Sequence, residues 1–259
     1  MAAVFTAGEA EIATAYFEGE KRSKETDILF LTSQAGREFA SGLHILQDAI
    51  ERREKNPAGL DRHWLNEAVF KGQQEMNHGN LCADILERLT GQPASMAELF
   101  RYDLFSGDPT APNNQEQSKL SQLYREQEQR PEPWAELVKH NSGYGILEGG
   151  GCGMFYAASL VSGSDLNDRV AKAFQIVLDD ERGHGLPAIL EVDKFITTEE
   201  QLEDVKEMLR VRGAQRLRFR NEQFSYPVSE ARIAEIADGK IDIGVVAEIW
   251  GPAFGRYLE

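Results

Sequence analysis

Residues 71–86 read KGQQEMNHGNLCADIL, and residues 174–188 read FQIVLDDERGHGLPA. Each contains a Glu-x-x-His, Glu75 with His78 and Glu181 with His184, and at that spacing both side chains leave one face of an α-helix. With 29 glutamates and 5 histidines in the chain, chance gives about half a match, so one copy means little and the second decides. Helical periodicity dominates around both copies, and alternating, β-branched runs are hard to find. The fold class that follows is all-α.

Punctuation residues divide the chain into helices. Helix A is expected over about 25–54, ending before KNPAGL, and helix B over about 61–89, with Asp61 as N-cap and Gly91-Gln92-Pro93 as stop. Residues 106–133 carry prolines at both ends and little apolar content, as expected of a long crossover holding one short exposed helix. Helix C is expected over about 134–161 and helix D over about 165–195, with Ser162, Gly163 and Ser164 at the turn. A fifth helix begins at Thr197-Thr198, and residues 229–259 read as short helices broken at Gly239 and Gly251-Pro252. The organisation expected is one domain over 1–259, with a bundle at about 25–195 and extra C-terminal helices at about 198–259.

Each motif has a candidate partner on the preceding helix, Glu38 for the first and Glu148 for the second. A rise of ~1.5 Å per residue puts each pair near a common level: A climbs roughly 24 Å beyond Glu38 and B returns roughly 21 Å to Glu75, with similar lengths in the second half. The Glu38 stripe holds Leu31, Ala35, Gly42, Ile45 and Ala49, the Glu75 stripe Ala68, Gly72, Gly79, Cys82 and Leu86, and the Glu181 stripe Phe174, Val177, Leu178, Gly185 and Ala188. Four carboxylates and two imidazoles would thus face an apolar interior, where uncompensated charge is prohibitive. Two divalent cations would neutralise them, and oxygen plus imidazole donors without thiolates suit iron or manganese rather than structural zinc.

On these residues the sequence resembles the ferritin-like di-metal carboxylate bundles, over roughly residues 25–195. The resemblance implies a ferritin-like four-helix bundle with a long B–C crossover. Its implied ligands are Glu38, Glu75, His78, Glu148, Glu181 and His184, with Glu75 and Glu181 bridging. Asp180, directly before the second motif, resembles the aspartate that oxygen-activating di-iron members hydrogen-bond to a ligand histidine, and Gln74 holds the corresponding place in the first half. One departure is the run Gly149, Gly150, Gly151 and Gly153 after Glu148, which in a helix costs about 3–4 kcal/mol relative to alanine. Either these glycines leave room for a substrate cavity or a π-bulge, or the segment is a loop in which Glu148 is no ligand.

The function implied is that of a non-haem di-iron oxygenase or oxidase: two iron ions, with manganese as the alternative metal, O2 as co-substrate, a small organic substrate and an external electron donor. Hydroxylation, desaturation, N-oxygenation and carbon–carbon cleavage all fit such a centre. Manganese catalase is the first alternative, similar in length and paired motifs, and ferritin-type iron storage the second. No catalytic residue beyond the ligands is assigned. Arg212, Arg216 and Arg220, within a basic run that also includes Arg210 and Arg218, either hold an anionic group of a substrate or pair with Glu203, Asp204 and Glu207.

Composition limits the other classes. The net charge of −15 opposes a phosphate backbone, so nucleic acid is not an expected partner. No stretch approaches the ~18 apolar residues of a membrane span, and the N-terminus lacks the pattern of a secretory leader, so a cytoplasmic protein without membrane association is expected. A homodimer is compatible with the bundle class. Cys82 and Cys152, both in apolar surroundings, are too few for a disulfide framework.

Overall fold

A computed structural model describes residues 2–129, 145–182 and 196–251, with side chains described throughout these ranges except at 128 and 145–150. Among the described residues there are ten α-helices and no strand. They are α1 (Ala2–Phe17), α2 (Lys24–Lys55), α3 (Arg62–Thr90), α4 (Met96–Leu99), α5 (Gln115–Glu128), α6 (Gly145–Ser159), α7 (Asp165–Glu181), α8 (Glu199–Gln223), α9 (Glu230–Ala237) and α10 (Val245–Trp250). The chain divides into two compact units, one of Lys24–Asn114 and the other of Met1–Ser23 with Gln115–Glu259. Helices A and B of the sequence pattern fall in the first, and C and D in the second.

In unit Lys24–Asn114, α2 and α3 form a long antiparallel hairpin whose boundaries follow local chemistry. The Asp61 carboxylate accepts from the His63 amide at 2.8 Å, capping α3, and Gly91 closes that helix in the left-handed region at φ 70°. Small residues set how closely the two helices approach. A Cβ on Gly42 would lie 2.9 Å from the Gly72 carbonyl oxygen, and one on Gly79 would lie 3.0 Å from the Phe39 ring. Leu99 and Tyr102, from α4 and the 3-10 turn after it, cover the N-terminal half of α2, where Phe30, Leu31 and Ala35 are buried.

The other unit is built around α1, which packs along α6 and also meets α8, α9 and α10. Its burial runs around the helix, through Ala3, Phe5, Ala7, Glu9, Ala10, Ile12, Ala13 and Tyr16. Ten of its sixteen residues are buried, and a helix covered over so much of its circumference presents no narrow apolar stripe for periodicity to show. At Gly153 of α6 a Cβ would lie 1.9 Å from the Thr6 carbonyl oxygen, so the glycine admits the α1 backbone. The described glycine-rich segment is a regular α-helix, in place of the loop or π-bulge, and at Gly153 the space is filled by α1 rather than left as a cavity.

The α5 segment also differs from expectation. Its Leu120 and Tyr124 are buried with Phe219 of α8, so the helix expected to be exposed lies with one face in the core. Its N-terminus is capped from far along the chain: the Glu222 carboxylate accepts from the backbone amides of Gln115 at 2.8 Å and Glu116 at 2.6 Å. The start of α8 carries the expected capping box between Thr198 and Gln201, and the tail breaks at Gly239 and Gly251, both at positive φ. Among the described residues no helix is long and apolar enough to cross a membrane.

Candidate metal centre

Glu38 on α2 and the Glu75/His78 pair on α3 meet inside the hairpin. One ligand atom from each lies within 4.8 Å of the others. Glu38 is 7% exposed, Glu75 5% and His78 0%, so all three sit in the interior. Helical spacing delivers them there: Leu31, Ala35, Gly42 and Ala49 accompany Glu38 into the core, and Gly72, Gly79, Cys82 and Leu86 accompany Glu75. Gly42 is in van der Waals range of the Glu75 backbone region, since a Cβ there would lie 3.2 Å from Glu75 Cβ. The glycines therefore bring the two carboxylate-bearing helices close enough for their side chains to converge.

The two carboxylate oxygens of Glu38 face different neighbours. The Gln34 side-chain amide donates to Oε1, one turn earlier on α2. Oε2 lies 3.7 Å from His78 Nδ1. Burial pushes the Glu38 carboxyl up, but His78, with hydrogen bonds from Glu75 and Gln34, outweighs burial and holds it below the usual carboxylate range. Cys82, one turn beyond His78, is fully buried; burial first, and the Glu38 charge second, push its thiol well up, which keeps it a neutral packing group.

Two carboxylates and an imidazole are a donor set for a transition metal ion with oxygen and borderline nitrogen preference. A divalent cation would replace the proton through which Glu75 bonds to Glu38 and would balance the two carboxylates once ionised. The three donors brought together fit one such cation.

The second half of the pattern is described only in part. Glu181 closes α7 and is buried, with Phe174, Val177 and Leu178 on the same side of the helix, and Asp180 is partly buried, as is Gln74 on α3. Glu148 lies on α6, but its side chain is outside the described residues, as is His184. Cys152, one turn after Glu148, is close enough to Glu181 for that charge to add to burial in raising its thiol.

The arginines of α8 meet an acid that the sequence pattern did not name. Arg216 Nε bonds to Glu9 Oε1, and Arg220 Nε lies 2.9 Å from Glu9 Oε2, joining positions 207 and 211 residues apart. Glu9 is wholly buried; burial raises its carboxyl, and the two guanidinium groups outweigh that and lower it. Arg212 bonds to the Gln127 side chain and stands 4.9 Å over the Tyr124 ring. Of the expected local acids, Glu207 holds Arg210, while Glu203 pairs with Lys206.

No protein-family model, curated protein or solved structure matches the chain. The case for function rests on the residues themselves.

Proposed function

We propose that the Glu38–Glu75–His78 cluster is a metal site and, on the family resemblance of the sequence, which also implies Glu148, Glu181 and His184 as ligands, that the chain is an O2-activating di-iron oxygenase. The observation that carries this proposal is the convergence of two carboxylates and one imidazole, from two helices, in a buried position. Without a metal these side chains offset one another through His78, Gln34 and the bond between the two carboxyls, and a bound divalent cation would take over that role with both carboxylates ionised.

When bound, a pair of iron ions supplies the redox chemistry by which O2 oxidises an organic substrate, an external donor providing the electrons that the substrate does not. The chain's own residues do the rest. Glu38 and Glu75 supply anionic oxygen, His78 supplies a neutral nitrogen donor, and the close packing at Gly42, Gly72 and Gly79 keeps bulk water out of the hairpin. The substrate is an organic molecule of a class that the ligands do not specify.

The test is metal content and Fe2+ titration of the wild-type protein beside His78→Ala and Glu181→Ala. About two irons per chain, lost in both variants while the helical circular dichroism persists, is the expected result. Unchanged stoichiometry in both variants refutes the ligand set. Two manganese ions with rapid gas evolution from peroxide would replace the oxygenase by a catalase.

A further inference from the structure

Resting on that metal site, we infer that Gln34 is its positioning residue, fixing Glu38 as a monodentate ligand through Oε2. Gln34 is 4% exposed and lies one helical turn before Glu38 on the same face of α2. An ionised carboxylate only accepts hydrogen bonds, so it is the amide N–H of Gln34 that faces Oε1. The other oxygen is the one turned to the imidazole, with Oε2 3.7 Å from His78 Nδ1. A cation drawn to the three donors therefore meets Oε2, while Oε1 stays with the amide.

The choice of an amide has an electrostatic reason. Glutamine supplies an N–H to the carboxylate without adding charge, so the pair Glu38 and Glu75 still balances one divalent cation. A glutamate at position 34 would offer no donor when ionised and would add a third negative charge. An aliphatic residue would leave Oε1 free to swing onto the metal and change the coordination number. Partners that orient a ligand are worth roughly 10–100-fold in metal affinity.

The experiment uses Co2+ as probe, because its visible ligand-field bands report coordination number and geometry. Full-length wild-type protein and Gln34→Met, nearly equal in length but lacking the donor, are titrated with Co2+, and the melting of both metal-free forms is recorded. The expected result is a Co2+ affinity roughly 10–100-fold weaker in Gln34→Met, with shifted and weakened visible bands and little change in metal-free melting. Wild-type affinity and spectrum in Gln34→Met overturn the inference and leave the metal site standing. A wild-type protein that takes up no Co2+ overturns the site itself, and the inference with it. Should Gln34→Met fail to fold, Gln34→Asn keeps the amide but withdraws it by one methylene from Oε1 and adds no ligand of high affinity: weakened Co2+ binding with altered bands supports the role, and wild-type affinity and bands overturn it.

Discussion

Replacing Gly42 by alanine should loosen the hairpin at the point where its two carboxylate helices touch. The new Cβ would lie 2.9 Å from the Gly72 carbonyl oxygen, 3.1 Å from Met76 Cγ and 3.2 Å from Glu75 Cβ. Met76 can rotate away, but the carbonyl belongs to the α3 backbone, so the helices must part by several tenths of an ångström. A helical Gly→Ala change gains about 1 kcal/mol from backbone entropy, whereas overpacking costs typically about 1–3 kcal/mol. The expected net loss is about 1 kcal/mol, or about 2–4 °C in Tm for a chain of this size. Gly72→Ala is the matched control across the same interface. Its Cβ would meet chiefly the Leu46 side chain, at 3.1 and 3.2 Å, and side chains yield more cheaply than backbone. Thermal melts followed by far-ultraviolet circular dichroism, with a Co2+ titration of each protein, separate packing from site geometry. Gly42→Ala should be the less stable of the two and the weaker Co2+ binder, because Glu75 is moved with its helix. If Gly42→Ala is at least as stable as Gly72→Ala and binds Co2+ undiminished, close helix approach does not build the site.

Two further outcomes follow from the unit containing α1. Glu9→Gln should cost about 3–5 kcal/mol, because it leaves the buried Arg220 guanidinium and the half-buried Arg216 guanidinium facing a neutral amide. The Glu9 carboxyl is held below its ordinary 4.5 in the folded chain, so its stabilisation is complete above that pH and fades as pH falls through the lower folded value. Denaturant unfolding at stepwise lower pH should therefore show a shallower acid loss in Glu9→Gln; parallel curves would show that Glu9 is not ionised in the fold. Cys82 and Cys152 are both buried, and burial is the first cause raising each thiol, so neither should react with a disulfide reagent at neutral pH until the protein is denatured. Rapid labelling of the native protein would contradict the packing of α3 or α6.

The sequence alone determined what depends on neighbours three or four residues away. The caps at Asp61, Gly91, Thr198 and Gly239, the extents of α2, α3 and α8, and the inward facing of Glu38, Glu75 and His78 are all of this kind. Gln34 belongs with them, since its i, i+4 relation to Glu38 was available as a signal. Tertiary structure alone decided what depends on partners distant in the chain. α1 has no narrow stripe because neighbours cover most of its circumference, α5 buries Leu120 and Tyr124 only because α8 is there, and Glu9 finds Arg216 across 207 residues. The glycines show the same division. Their spacing along α2, α3 and α6 is written in the sequence, but whether the missing side chain makes room for a ligand or for a helix is settled by what packs there. At Gly42 it is the α3 backbone, and at Gly153 it is α1. Local spacing fixes the direction in which a side chain leaves its helix, and only the packing of whole helices fixes what it meets.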